Sequence, residues 1–125
     1  LSDNPPDPLP RLAEAYAHRT LGLASGPREE EIVLQALRIG EVGITSIPCE
    51  VLCEIGLTIK ANSPLPQSTF TIELANGHNG YLPTPRQHTM SGYETWMGTC
   101  TLEITASVKI QKVLMEMLGK VALKD

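Results

Sequence analysis

In "IPCEVLCEIG" (residues 47–56) a carboxylate, Glu50, follows directly on Ile47-Pro48-Cys49, where an apolar run gives way to a helical pattern. An acid near a helix start complements the positive end of the helix dipole, and that alone would justify it. Cys49 and Cys53, four apart, would share one face of a helix, a spacing open to metal or redox work or to two buried small hydrophobes. Further on, "ELANGHNGYLPTPRQHTMSGYETW" (residues 73–96) collects His78, Tyr81, Tyr93 and Trp96 around two tight turns. Tyr81 reads as a core-edge ring capping this loop, and Tyr93 as a packing partner for Trp96. His18 and His88 have no motif around them.

The elements that must position these groups follow from periodicity. Leu12, Ala15, Tyr16 and Leu23 recur at roughly helical spacing, and Gly26-Pro27 stops that helix. Before it, "LSDNPPDPLP" (residues 1–10) is a proline-rich lead-in that cannot be a regular helix or a central strand. Residues 31–39 and 42–47 are rich in Ile, Val and Leu around Gly40-Glu41, which predicts an antiparallel hairpin with a type II′ turn. Ile32 to Leu34 are apolar on both faces, the pattern of a strand covered on both sides. Pro48 suits the first turn of a helix with Val51, Leu52, Ile55 and Ile59 at core spacing. "NSPLPQS" ends it, and residues 69–75 alternate as a strand.

Strand, helix, strand predicts a right-handed crossover that pairs 42–47 and 69–75 in parallel. Parallel strands end at the same sheet edge, so Glu50 and the loop after residue 75 should meet there. A short strand at 99–105 and a helix over 105–118 complete the chain, with Val108, Ile110, Leu114, Met115 and Leu118 on its stripe and Gly119 as its stop. The expected class is α/β (α+β): a small mixed sheet with a hairpin, a right-handed β-α-β crossover and flanking N- and C-terminal helices.

Composition narrows the function classes. The chain has 125 residues, 42% hydrophobic, enough for one packed core. Ten basic against fourteen acidic side chains leave a net charge of −4 with no Lys/Arg cluster, so nucleic acid is a poor candidate partner. No apolar stretch approaches the roughly 20 residues needed to span a bilayer, and no charged-then-apolar leader opens the chain. Three cysteines are an odd count, unlike a disulfide framework, and the compartment stays open.

The blocks "ALRIGEVGITSIPCEVLCEIGLTIKANSP" and "ELANGHNGYLPTPRQHTMSGYETW" together resemble the neutral/alkaline ceramidase family, in particular its bacterial ceramidase-like hydrolases. The resemblance runs from about residue 26 to 96 and more weakly to the C-terminus. It implies a zinc-dependent amidase that cleaves the N-acyl bond of ceramide or a related N-acyl lipid, in a secreted or periplasmic setting. It places the family's zinc-binding glutamate on Glu50, its zinc-binding tyrosine on Tyr81, and the tyrosine that lies against the scissile amide on Tyr93. The family seam is Pro-Gly-Glu, whereas this chain has Pro48-Cys49-Glu50, a side chain that would crowd the turn or the implied zinc, pack as a buried thiol, or offer a thiolate to the metal. His78 stands where the family commonly has an aromatic residue, as a substrate contact, an extra ligand, or a solvated or hydrogen-bonding loop histidine. The two zinc-binding histidines of the family match nothing here. The resemblance therefore implies that residues 11–125 are the C-terminal part of a larger catalytic domain, inactive alone and holding zinc weakly or not at all. The missing N-terminal part, or a second copy, should cover an apolar face of at least about 1,000 Å² in total.

Overall fold

The computed structural model describes residues 8–65 and 68–123. The chain divides into two compact units, one holding the first helix and one beginning at Glu31.

The first unit is helix α1 (Pro8–Ser25). The expected lead-in at residues 1–7 lies outside the described residues, and at residues 8–10 the expectation is corrected. Pro8 and Pro10 sit in the first helical turn, where backbone N–H groups have no intrahelical partner and a proline loses nothing. Inside α1 the Arg19 guanidinium lies 5.3 Å from the centre of the Tyr16 ring.

The second unit begins with a hairpin of β1 (Gln35–Ile39) and β2 (Val42–Ser46), antiparallel in the register Leu37↔Ile44. Gly40 takes φ +61° at the turn, the left-handed value that the first position of a II′ turn requires. The first strand starts four residues later than its composition suggests. Residues 31–34 are not paired, and Val33 is exposed while Ile32 and Leu34 rest against the core. Only one side of this segment is covered.

Helix α2 (Cys53–Asn62) and strand β4 (Thr69–Ile72) complete a β-α-β crossover, with β4 parallel to β2 in the register Ile44↔Phe70. The sheet order is β1-β2-β4. Pro48 does not open the helix. Between β2 and α2 the chain inserts a two-residue strand, β3 (Glu50–Val51), which pairs in parallel with β5 (Tyr81–Leu82). The helix therefore starts at Cys53, and Cys49, buried in the core, shares no helix face with it. The short helix α3 (Pro85–Met90) follows β5, and a single 3₁₀ turn spans Tyr93–Thr95.

The C-terminal helix α4 (Ala106–Ala122) runs four residues past its expected stop, so Gly119 lies inside it. The strand expected at 99–105 is absent; the chain there makes one isolated bridge, Met97↔Cys100. Both α2 and α4 pack on the three-stranded sheet and on each other. Ile55, Ile59, Ile110, Leu114 and Leu118 meet Ala36, Ile47, Cys49 and Leu82 between them. Arg38 of β1 ties the layers together by donating to the Ala122 carbonyl at 2.9 Å, a cation on the negative end of α4. The opposite sheet face carries Leu37, Ile39, Phe70 and Ile72, all exposed. Among the described residues no helix is long and apolar enough to cross a membrane.

Candidate functional site

The two-residue β3/β5 ladder builds the site. Glu50 and Tyr81 are direct partners in it, and the Glu50 N–H donates to the Gly80 carbonyl at 3.0 Å. Side chains opposite each other in a ladder emerge on the same face, and alternation buries their neighbours Cys49 and Leu82 in the core. The loop is held to the seam by backbone as well: the Asn79 N–H donates to the Pro48 carbonyl at 2.7 Å and the Leu74 N–H to the Cys49 carbonyl at 3.0 Å. Gly80, at φ +73°, lets the chain turn beneath the 99–100 segment, where the Tyr81 N–H reaches the Thr99 carbonyl at 3.3 Å. The 3₁₀ turn brings Tyr93 edge-on to Tyr81, with ring centres 5.2 Å apart and planes at 73°.

Glu50, His78, Tyr81 and Tyr93, the four residues to which the resemblance gave roles, thus meet on one face beyond the carboxyl ends of β2 and β4. His78 Nε2 lies 3.1 Å from Glu50 Oε1. The Tyr81 hydroxyl hydrogen-bonds the same carboxylate and also the Tyr93 hydroxyl. An ionised carboxylate only accepts, so both Nε2–H and the Tyr81 O–H must donate to Glu50, and Tyr93 must donate to Tyr81. The chain of donation runs from Tyr93 to Tyr81 to Glu50, with His78 entering from the other side.

The electrostatics follow from that order. The Tyr81 hydrogen bond, then His78, hold the Glu50 carboxyl below its ordinary value of 4.5. The Glu50 carboxylate and then Tyr93 push the Tyr81 phenol above its ordinary 10.0. Glu50 binds fewer protons folded than unfolded just below pH 4.5, so its contribution is present above that pH and is lost as pH falls through the depressed value. Tyr81 keeps its proton when folded after the unfolded chain has lost it. Its contribution is present below pH 10.0 and is lost as pH rises toward the raised value. Both groups are solvent-exposed, so each increment is small. Chemical unfolding across pH should show a plateau bounded on these two sides. In Glu50→Gln the acidic limb should flatten and the tyrosinate absorbance should appear at lower pH; unchanged titration in that variant would contradict the relay.

As a donor set the cluster offers a carboxylate, an imidazole and a phenol, all types that zinc accepts. Among the described residues no group of three or more His, Cys, Asp or Glu side chains is placed to hold a metal ion, so a third donor has to be the phenol. Cys49 is not available: it is fully buried in the core. Cys53 is exposed on the first turn of α2, and its thiol donates to Glu54, which with the Glu54 charge pushes its pKa up. The sequence reading passed over the capping box that starts α3 directly after β5. Thr84 caps α3 by accepting from the Gln87 N–H, and Gln87 Nε2 donates to Glu54 of α2 at 2.9 Å. The spacing Thr84-x-x-Gln87 with Pro85 between is a capping-box signal that marks this helix.

The fold and cluster define a small α/β domain with an exposed carboxylate–imidazole–diphenol site. Comparison with protein-family models, with curated proteins and with solved structures finds no match to this chain.

Proposed function

We propose that this chain is the C-terminal portion of a zinc-dependent amidohydrolase that resembles neutral ceramidase, acts on the N-acyl amide bond of ceramide or a related N-acyl lipid, and is inactive alone. One observation carries the reading. Glu50, Tyr81 and Tyr93, separated by up to 43 positions, are joined by hydrogen bonds at the places where the resemblance puts the metal ligands and the amide-facing tyrosine.

In this reading Glu50 and Tyr81 hold the zinc from one side. Bound zinc would polarise the amide carbonyl and lower the pKa of a water molecule to about 7. Glu50, ionised over the neutral range, contributes the fixed negative charge that attracts the cation. Tyr93 is hydrogen-bonded to Tyr81 but only half-buried, so its hydroxyl can turn to the oxygen of a bound amide and stabilise charge developing there.

The apolar row of exposed Leu37 and Phe70 on either side of half-buried Ile44 supports the proposal that further protein covers this domain, either the remainder of the catalytic domain or a second copy. The same row favours a second reading, a non-catalytic α/β binding or assembly module. The reading frame upstream of Leu1 separates the two. It should encode the missing histidine motifs, and the whole polypeptide should release fatty acid from an N-acyl lipid in a zinc-dependent way that Glu50→Gln abolishes. A frame without such motifs, together with a monodisperse monomer of this chain in light scattering, would leave the catalytic reading without support.

A further inference from the structure

His78 is the member of the cluster whose part the resemblance leaves open between a substrate contact and an extra ligand. We propose that the His78 imidazole is a third protein donor beside Glu50 and Tyr81, and that these three residues make a site for one zinc-type divalent cation within this chain alone. The inference rests on the zinc reading above, settles His78 as a ligand, and replaces the expectation that this chain alone holds zinc weakly or not at all.

Spacing is the first argument. Zinc bonds to nitrogen and oxygen of about 2.0–2.1 Å in tetrahedral array set neighbouring donor atoms roughly 3.3 Å apart. His78 Nε2 and Glu50 Oε1 are 3.1 Å apart, and the Tyr81 hydroxyl is within hydrogen-bonding reach of the same carboxylate. Three donors on a shared ion would stand at this separation, so a cation can replace the hydrogens between them with little rearrangement.

Anchoring is the second. The His78 backbone cannot drift from the seam. Asn79 N–H is bonded to Pro48, Glu50 N–H to Gly80, and at Gly77 even a Cβ would come within 3.2 Å of Pro48 Cβ. Donors pinned by backbone lose little freedom on binding an ion, which favours a site over a chance surface pair.

Access is the third. The His78 side chain is 66% exposed and that of Glu50 31%, so an ion reaches them from solvent and water can complete its shell on the open side. In the metal-free chain Nε2 carries a hydrogen toward Glu50. Metal binding moves that hydrogen to Nδ1, the other ring nitrogen, while the Tyr81 proton leaves to solvent. No oxidant or reductant is involved.

The test is zinc affinity of the purified 125-residue chain, stripped with a chelator and titrated with Zn²⁺ against a coloured competitor, with circular dichroism confirming that each variant is folded. One zinc per chain is expected. His78→Ala and Glu50→Gln should each weaken binding by about 100-fold or more, since changing even an outer-shell partner costs up to about that much. His18→Ala, altered on the exposed surface of α1, should bind as the unaltered chain does. On Zn²⁺ addition the His78 ring resonances should shift more than those of His18 or His88. Binding that His78→Ala leaves intact while Glu50→Gln destroys it would overturn the His78 assignment and spare the zinc reading. A chain that takes up no zinc would also overturn the His78 site and leave standing the zinc reading of a longer protein that completes the shell. Affinity indifferent to both substitutions would sink both.

Discussion

Gly80→Val should cost the second unit about 3 kcal/mol or more and take the Tyr81–Tyr93 contact with it. Gly80 adopts φ +73°, a region closed to a β-branched side chain, and a Cβ built there would stand 2.8 Å from the Thr99 carbonyl oxygen. That oxygen belongs to backbone, which cannot swing aside as a side chain would. It also accepts the Tyr81 N–H, so relief of the clash requires β5 and the 99–100 segment to separate. A shift of β5 unregisters Glu50 from Tyr81, because their pairing is half of a two-residue ladder. Thermal unfolding should show the loss, and nuclear Overhauser contacts between the two tyrosine rings should vanish even in the folded fraction. Gly119→Ala is the matched control. It lies inside α4 with nothing within 4 Å of an added Cβ, and should raise stability by about 0.5–1 kcal/mol through helix propensity. Equal behaviour of the two variants would contradict the strain assigned to Gly80.

Leu114→Ala should destabilise the second unit by about 2–5 kcal/mol. Leu114 is fully buried at the middle of the face that α4 lays on β1, β2 and α2, so truncation leaves a cavity that three elements would have to close together. For a domain of this size that corresponds to a fall in Tm of roughly 10 °C or more. Val108→Ala on the same helix should cost under about 1 kcal/mol, because Val108 is 53% exposed. The pair of variants reads out which stripe of α4 faces the sheet. Costs of similar size at both positions would place the buried face elsewhere.

That stripe shows where sequence reasoning held and where it stopped. Ile110, Leu114 and Leu118 recur every four residues and are buried as their spacing indicates. Val108, expected on the same stripe, lies off that line by half a turn and is exposed. The hairpin and the crossover were legible because β-branched runs flanking Gly40-Glu41, and an amphipathic segment between two strands, are local patterns. The capping box at Thr84 and Gln87 was legible too and was passed over. The β3/β5 ladder had no such signature. Two residues carry no periodicity, and Glu50-Val51 after a proline resembles a helix entry as closely as a strand.

The same division holds for the site. By itself the amino-acid sequence determined which groups were available: a carboxylate after an apolar strand, and a turn-rich loop with His78, Tyr81 and Tyr93 beyond the next strand. It also determined that both lie past the same ends of two parallel strands, since the crossover between them is written in local patterning. Only the tertiary structure decided that Glu50 and Tyr81 stand in one register, that Tyr93 donates to Tyr81, and that His78 reaches Glu50 rather than solvent. Those contacts depend on backbone bonds between residues 28 to 31 positions apart, such as Asn79 to Pro48 and Gly80 to Glu50, and on the one glycine conformation that lets β5 pass beneath Thr99. Register between distant strands is fixed by the sum of many packing and hydrogen-bonding contributions, and no short window of sequence contains that sum.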